Sequence, residues 1–193
     1  MGQDRRTEIL EATCRVIGRS GVHDLRVEDV AKEVGVSPAL VYYYFDTRAD
    51  LLNRAFEYAD ARSTSHSVKQ MDMESSGRQQ LKDILFHEYD DAPEVRENWV
   101  IWSEMEANAV FDQELLDAIV KRSAHWVKIV TDLIRTGESD GSIASGANAD
   151  NVAERLIGVS DALGMKWMRG LMTQERALDL MAEAIDIELG PQP

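Results

Sequence analysis

Most of the features that announce a catalytic, secreted or membrane protein are missing here. A single cysteine, Cys14, in 193 residues excludes an internal disulfide framework and a cysteine-built metal centre. Four prolines are too few to break up long helices. No apolar run approaches the ~18 residues a membrane span needs, and no leader-like segment opens the chain. The expectation is therefore a soluble, cytoplasmic protein without membrane contact. G-x-S-x-G, H-E-x-x-H and G-x-x-x-x-G-K-[ST] are all absent, so no enzyme is expected. The four histidines, His23, His66, His87 and His125, lie far apart. The run His87-Glu88-Tyr89-Asp90-Asp91 holds metal-capable groups but reads as polar surface at a helix end, so neither a metal nor a cofactor is expected. Positive charge is scarce too, with 21 Lys and Arg against 35 Asp and Glu and a net charge of −14.

What remains is helical. Apolar residues, 44% of the chain, recur at 3.6-residue spacing over most of its length and predict an all-α fold with an ample core. Asp4 to Arg19 forms an amphipathic first helix with Ile9, Leu10, Thr13, Val16 and Ile17 on one face, where Cys14 joins Leu10 and Ile17 as a buried thiol. Gly21 ends it. Val27, Val30, Ala31 and Val34 mark a second helix, which Gly35 stops by taking the left-handed backbone. Val36 plugs the corner, Ser37 is a good N-cap and Pro38 suits the first position of a third helix. A helix, a glycine turn and a capped second helix make a helix-turn-helix, whose second helix can lie in a DNA major groove.

The third helix carries three consecutive tyrosines. Successive residues are ~100° apart on a helix, so the three cannot all face inward. Val41, Tyr44 and Phe45 share the inner face, leaving Tyr42 and Tyr43 outside as phenol donors for phosphate oxygens. Ser37 and Pro38, which open the helix, belong to the expected DNA-binding surface together with Ala39 and Leu40, which are placed to touch thymine methyls. Arg5 and Arg6, ahead of the first apolar turn, and Arg48, after the third helix, are the cations expected at phosphate or minor groove. The acidity bears on this directly. Residues 1–50 hold 7 Lys and Arg against 9 Asp and Glu, net −2, and the rest hold 14 against 26, net −12. Such a chain should bind random DNA poorly, because non-specific affinity comes from phosphate neutralisation.

The run Val30-Ala31, Gly35-Val36-Ser37, Tyr42-Tyr43-Tyr44-Phe45 and Leu51-Leu52 resembles the DNA-binding head of TetR-type repressors. The resemblance is specific over residues 5 to 56. It implies an all-α homodimer with an N-terminal three-helix DNA-binding head and a C-terminal helical domain for ligand binding and dimerisation. It further implies a repressor that binds an inverted-repeat DNA operator and is released by a small-molecule effector. Two positions depart from the pattern: Val27 stands where many relatives have Thr, and Arg48 where a Lys is common. The domains expected are 1–50 for the head and 51–193 for the body, with a connecting helix at about 47–62 and a break in the polar stretch 63–77.

In the body, periodicity predicts helices near 78–90, 94–110, 112–137, 149–171 and 174–189. Val152, Leu156 and Leu163, with Leu178, Met181 and Ile185, line stripes on the last two helices that suit a homodimeric four-helix bundle. Trp99, Trp102 and Glu106, at i, i+3 and i+7, place two indoles and a carboxylate on one face, a cage suited to an organic cation. With Tyr89, Met105, Phe111, Trp126 and Trp167 they make the candidate effector pocket; ordinary core packing of the same rings is the competing reading. The Trp-rich stretch loosely resembles the choline-responsive branch of the family. The acidity motivates an alternative function, a helical small-molecule-binding or interaction protein without DNA activity.

Overall fold

The computed structural model describes residues 2–190, and their side chains except at positions 2–4, 64, 66–70 and 114. Among the described residues there are nine α-helices and no strand: α1 (Gly2–Ser20), α2 (Val27–Val34), α3 (Pro38–Tyr44), α4 (Arg48–Gln70), α5 (Gly77–His87), α6 (Pro93–Ala109), α7 (Gln113–Asp140), α8 (Ala149–Met168) and α9 (Gln174–Leu189). None of them is long and apolar enough to cross a membrane. Contacts divide the chain into two units. The first comprises residues 1–64 with 96–119, and the second comprises residues 65–95 with 120–193. Helices α4, α6 and α7 each contribute residues to both.

The first unit is built on the apolar face of α1. Ile9, Ile17, Val30, Val41, Phe45, Leu51 and Ala55 are almost fully buried in one cluster, which Ile101 and Met105 of α6 complete. Cys14 lies inside it, its Sγ 3.6 Å from the Ala55 carbonyl oxygen, and burial pushes the thiol up to about 12. It stays a packed thiol, because the thiolate would lose its hydration there.

Gly35, at φ +73°, ends α2 as the spacing predicted. Its N–H donates to Lys32 O (3.2 Å) and that of Val36 to Ala31 O (2.9 Å), closing the helix with a Schellman pair. Ser37 Oγ then accepts from Leu40 N at 3.3 Å, and Pro38 opens α3.

In the second unit the start of α5 is wedged against α7. A Cβ at Gly77 would lie 2.2 Å from the backbone nitrogen of Gly137, so the two backbones meet with no room for any side chain. Gly77 N donates to Asp140 Oδ2 (2.7 Å). Arg78, nearly buried, sends Nη2 to Asp186 Oδ1 and to Gly190 O, both at 2.6 Å, tying α5 to the end of α9. Asn148 and Thr173 cap α8 and α9 through the N–H groups of Asn151 and Arg176.

The helix limits fall within a few residues of expectation except in α4, which runs on to Gln70 through the polar stretch. Small polar residues lower helix propensity by only tenths of a kcal/mol each, which neighbouring turns readily override. The break comes later, where Asp72 Oδ1 takes the Glu74 N–H (3.0 Å) and its carbonyl takes the Ser75 hydroxyl (2.7 Å).

Candidate functional site

Helix α3 shows one face to the core and the other to solvent. Val41 and Phe45 are buried, Tyr44 is half-buried, and Tyr42 and Tyr43 are 47% and 79% exposed. The Tyr43 ring meets that of Tyr44 edge-on, with centroids 5.2 Å apart, which restrains an otherwise open phenol. Ser37, Pro38 and Ala39 are exposed beside them and Leu40 is half-buried. Five non-basic positions of the expected contact surface therefore open to solvent, with Leu40 at its edge.

Each of the three arginines expected at DNA has a partner within the chain. Arg48 turns inward: its Nε donates to Leu25 O (3.1 Å) and its Nη2 to Val22 O. The loop between α1 and α2 leaves these carbonyls without helical partners, and a guanidinium fork satisfies two at once. Arg6 lies over the Phe45 ring, its guanidinium carbon 5.2 Å from the centroid, and Arg5 pairs with Glu8. A residue the sequence did not suggest holds the same loop from the other side: Glu104 Oε2 accepts the Val22 N–H at 3.1 Å. Nearby, Arg62 Nη2 donates to Glu97 Oε2 (2.8 Å) and Asn98 Oδ1 (3.2 Å), and Tyr58 donates to Glu11 (2.8 Å).

The eight residues of the expected effector pocket fall in both units. In the first, Met105 belongs to the core cluster and the half-buried Trp102 packs against it. Trp99 is buried, whereas Glu106 is exposed and Phe111 is 92% exposed. A carboxylate in water offers a cation little, because solvent screens it. The face at i, i+3 and i+7 thus runs from core to solvent, and Glu106 is corrected from cage acid to surface acid. Phe111 has likewise no wall to line within this unit.

In the second unit Tyr89 and Trp167 are buried with rings inclined at 62° and centroids 6.3 Å apart, while Trp126 is half-buried. The Tyr89 hydroxyl lies 3.1 Å from both the carbonyl and the hydroxyl oxygen of Ser160, and Gln174 Nε2 donates to Tyr89 O at 2.7 Å. Glu88, next to Tyr89 in sequence and read above as polar surface at a helix end, is half-buried instead. Burial raises the Glu88 carboxyl to about 7; the Arg122 guanidinium pulls it down and Asp161 adds to the rise. No spacing rule marks it, since Glu88 follows the end of α5 and the acid and cation around it come from helices remote in sequence.

The stripe assigned to a partner chain is also corrected. Val152, Leu156, Leu163, Met181 and Ile185 are at most 7% exposed within one chain, and Leu178 is half-buried. Side chains already covered by their own protomer have no area left to bury. The outward positions of α8 and α9 are others, among them Val159 and Ala162 on α8 and Ile187 on α9.

Comparison with known proteins gives this geometry its context. The sequence model described as "Bacterial regulatory proteins, tetR family" matches residues 9–55. That of the "BetI-type transcriptional repressor, C-terminal" matches residues 77–190. The HTH-type transcriptional regulator BetI of Brucella canis is 26% identical over 196 residues, which cover 98% of this chain and 93% of that one. A solved TetR-family transcriptional regulator from Rhodococcus sp. is 32% identical with a TM-score of 0.86, over 97% of this chain and 99% of that one. A transcriptional regulator from Saccharomonospora viridis, solved in complex with choline, shares the fold at 24% identity and a TM-score of 0.81, over 96% and 95% of the two chains.

Proposed function

Because the chain belongs to the tetR family of bacterial regulatory proteins, we propose that it represses transcription as a homodimer on an inverted-repeat operator and lets go when an organic cation binds its body. That it is a transcriptional regulator and not an enzyme follows from the family itself. The observation that carries the finer reading is the solvent-facing side of α3, where Ser37, Pro38, Ala39, Tyr42 and Tyr43 stand clear of the core. Such a helix, entered through a fixed glycine turn, fits the major groove, with its phenols directed to phosphates. With so few polar base readers, sequence-dependent DNA shape carries much of the specificity. Dimerisation uses the outer faces of α8 and α9.

For the effector, the support comes from the raised Glu88 carboxyl, next in sequence to Tyr89, whose ring packs against Trp167 in the same unit. A desolvated carboxyl gains most from a ligand that brings positive charge without a tight water shell, and aromatic faces stabilise the same cation. The Saccharomonospora neighbour was solved with choline, so choline is the first probe.

The test is footprinting on the DNA flanking the protein's own coding region, followed by release. The expected result is an inverted-repeat footprint that disappears with choline and persists with its uncharged isostere 3,3-dimethylbutanol. No protected site, or equal release by both alcohols, refutes the respective half of the reading.

A further inference from the structure

The acidity of the chain raises a question that the helix-turn-helix leaves open: which charges neutralise DNA phosphates? Residues 1–50 contain seven basic side chains, and the structure accounts for five of them. Arg5 is paired with Glu8, and Arg15 and Arg19 both with Glu33, whose carboxyl they hold below its ordinary range. Arg6 is stacked on Phe45 and Arg48 is spent on the carbonyls of Val22 and Leu25. The remaining two, Arg26 and Lys32, are exposed, and neither side chain has an ion-pair, hydrogen-bond or ring partner among the described residues.

We infer that Arg26 and Lys32, at the two ends of α2, are the phosphate anchors of the head. This rests on the DNA-binding reading above. A guanidinium already paired with a carboxylate brings little to DNA, because moving to a phosphate strands the acid beside the same polyanion. Arg26 and Lys32 carry no such penalty.

Their backbone is also held in place. Arg26 directly follows Leu25, whose carbonyl accepts from Arg48 at 3.1 Å, and the Lys32 carbonyl accepts the Gly35 N–H (3.2 Å) in the turn that launches α3. Arg48 therefore acts through Arg26, positioning it without touching DNA. Glu28 and Asp29, exposed in the first turn of α2, oppose the attraction. They keep the net field weak, which suits a protein that must ignore random sequence.

The experiment is a salt titration of operator affinity with the full-length protein, from about 50 to 300 mM KCl. Each lost phosphate contact removes about 0.9 from the slope of log affinity against log salt per head. Arg26→Gln and Lys32→Gln should each flatten the slope by that amount, Arg26→Lys should keep it, and Arg54→Gln, whose partners are Asp50 and Glu57, should leave it alone. Circular dichroism and a melting curve establish that each variant is folded. The inference is overturned if the Arg26→Gln, Lys32→Gln double variant keeps the wild-type slope, or if Arg26→Lys flattens it as much as Gln does. A wild-type protein that binds no duplex in any salt refutes the DNA reading itself, and the inference with it.

Discussion

Replacing Glu88 by glutamine should make the protein more stable, and more so as pH rises. Burial lifts this carboxyl from 4.5 to about 7. Below pH ~4.5 the folded and unfolded chains both carry the proton, and the acid has no effect on the balance. Between 4.5 and 7 the unfolded chain ionises while the folded one keeps its proton, so stability falls with rising pH; above 7 the loss is complete. At 1.36 kcal/mol per unit, the penalty is about 1 kcal/mol at pH 5.5 and about 3 kcal/mol at pH 8. Glutamine imitates the protonated acid and cannot ionise. Glu88→Gln should therefore gain about 2 kcal/mol more over wild type at pH 8 than at pH 5.5, both values lying above the isoelectric region near 4.7. Urea denaturation followed by circular dichroism, at one fixed protein concentration, measures it. An equal gain at both pH values, or a variant less stable at pH 8, would mean that the carboxyl is ionised and well solvated in the native state, and the argument for an effector cation at this acid would lose its basis.

Two more predictions concern the second unit. Gly77→Ala sets a Cβ 2.2 Å from the Gly137 nitrogen, where only backbone could yield; the expected cost is about 3 kcal/mol or more in the same denaturation assay. Tyr89→Phe keeps the ring against Trp167 but removes the buried hydroxyl that meets Ser160, and should cost about 1 kcal/mol.

The features that could be read from sequence are those encoded over a few adjacent residues. The turn at Gly35, the Ser37 cap and the division of the tyrosines depend on neighbours within one or two helical turns, and they stand where periodicity put them. The roles of long side chains were not legible in the same way. Arg48 looked like a phosphate contact because its charge is local information, whereas the loop carbonyls of Val22 and Leu25 that it meets are brought to it only once α1 has ended and the loop has formed. The stripes of α8 and α9 were correct as stripes; periodicity tells which face is apolar but not whether the same chain or another covers it. Glu88 and Glu106 are both acids near aromatic residues in sequence, and only the packing distinguishes the half-buried one, whose carboxyl is raised, from the exposed one.

Val22 is gripped at both ends of its backbone dipole, its N–H by Glu104 of α6 and its C=O by Arg48 of α4. The Val22 amide proton is thus sheltered by a carboxylate 82 residues along the chain and not by a helix of its own. Its exchange with deuterium has to wait until Glu104 lets go, so the exchange rate of one amide, read from a peptide spanning the α1–α2 loop, counts how often α6 releases the loop ahead of the recognition motif. Any ligand or mutation that loosens that hold would register there as faster labelling, in solution and without DNA.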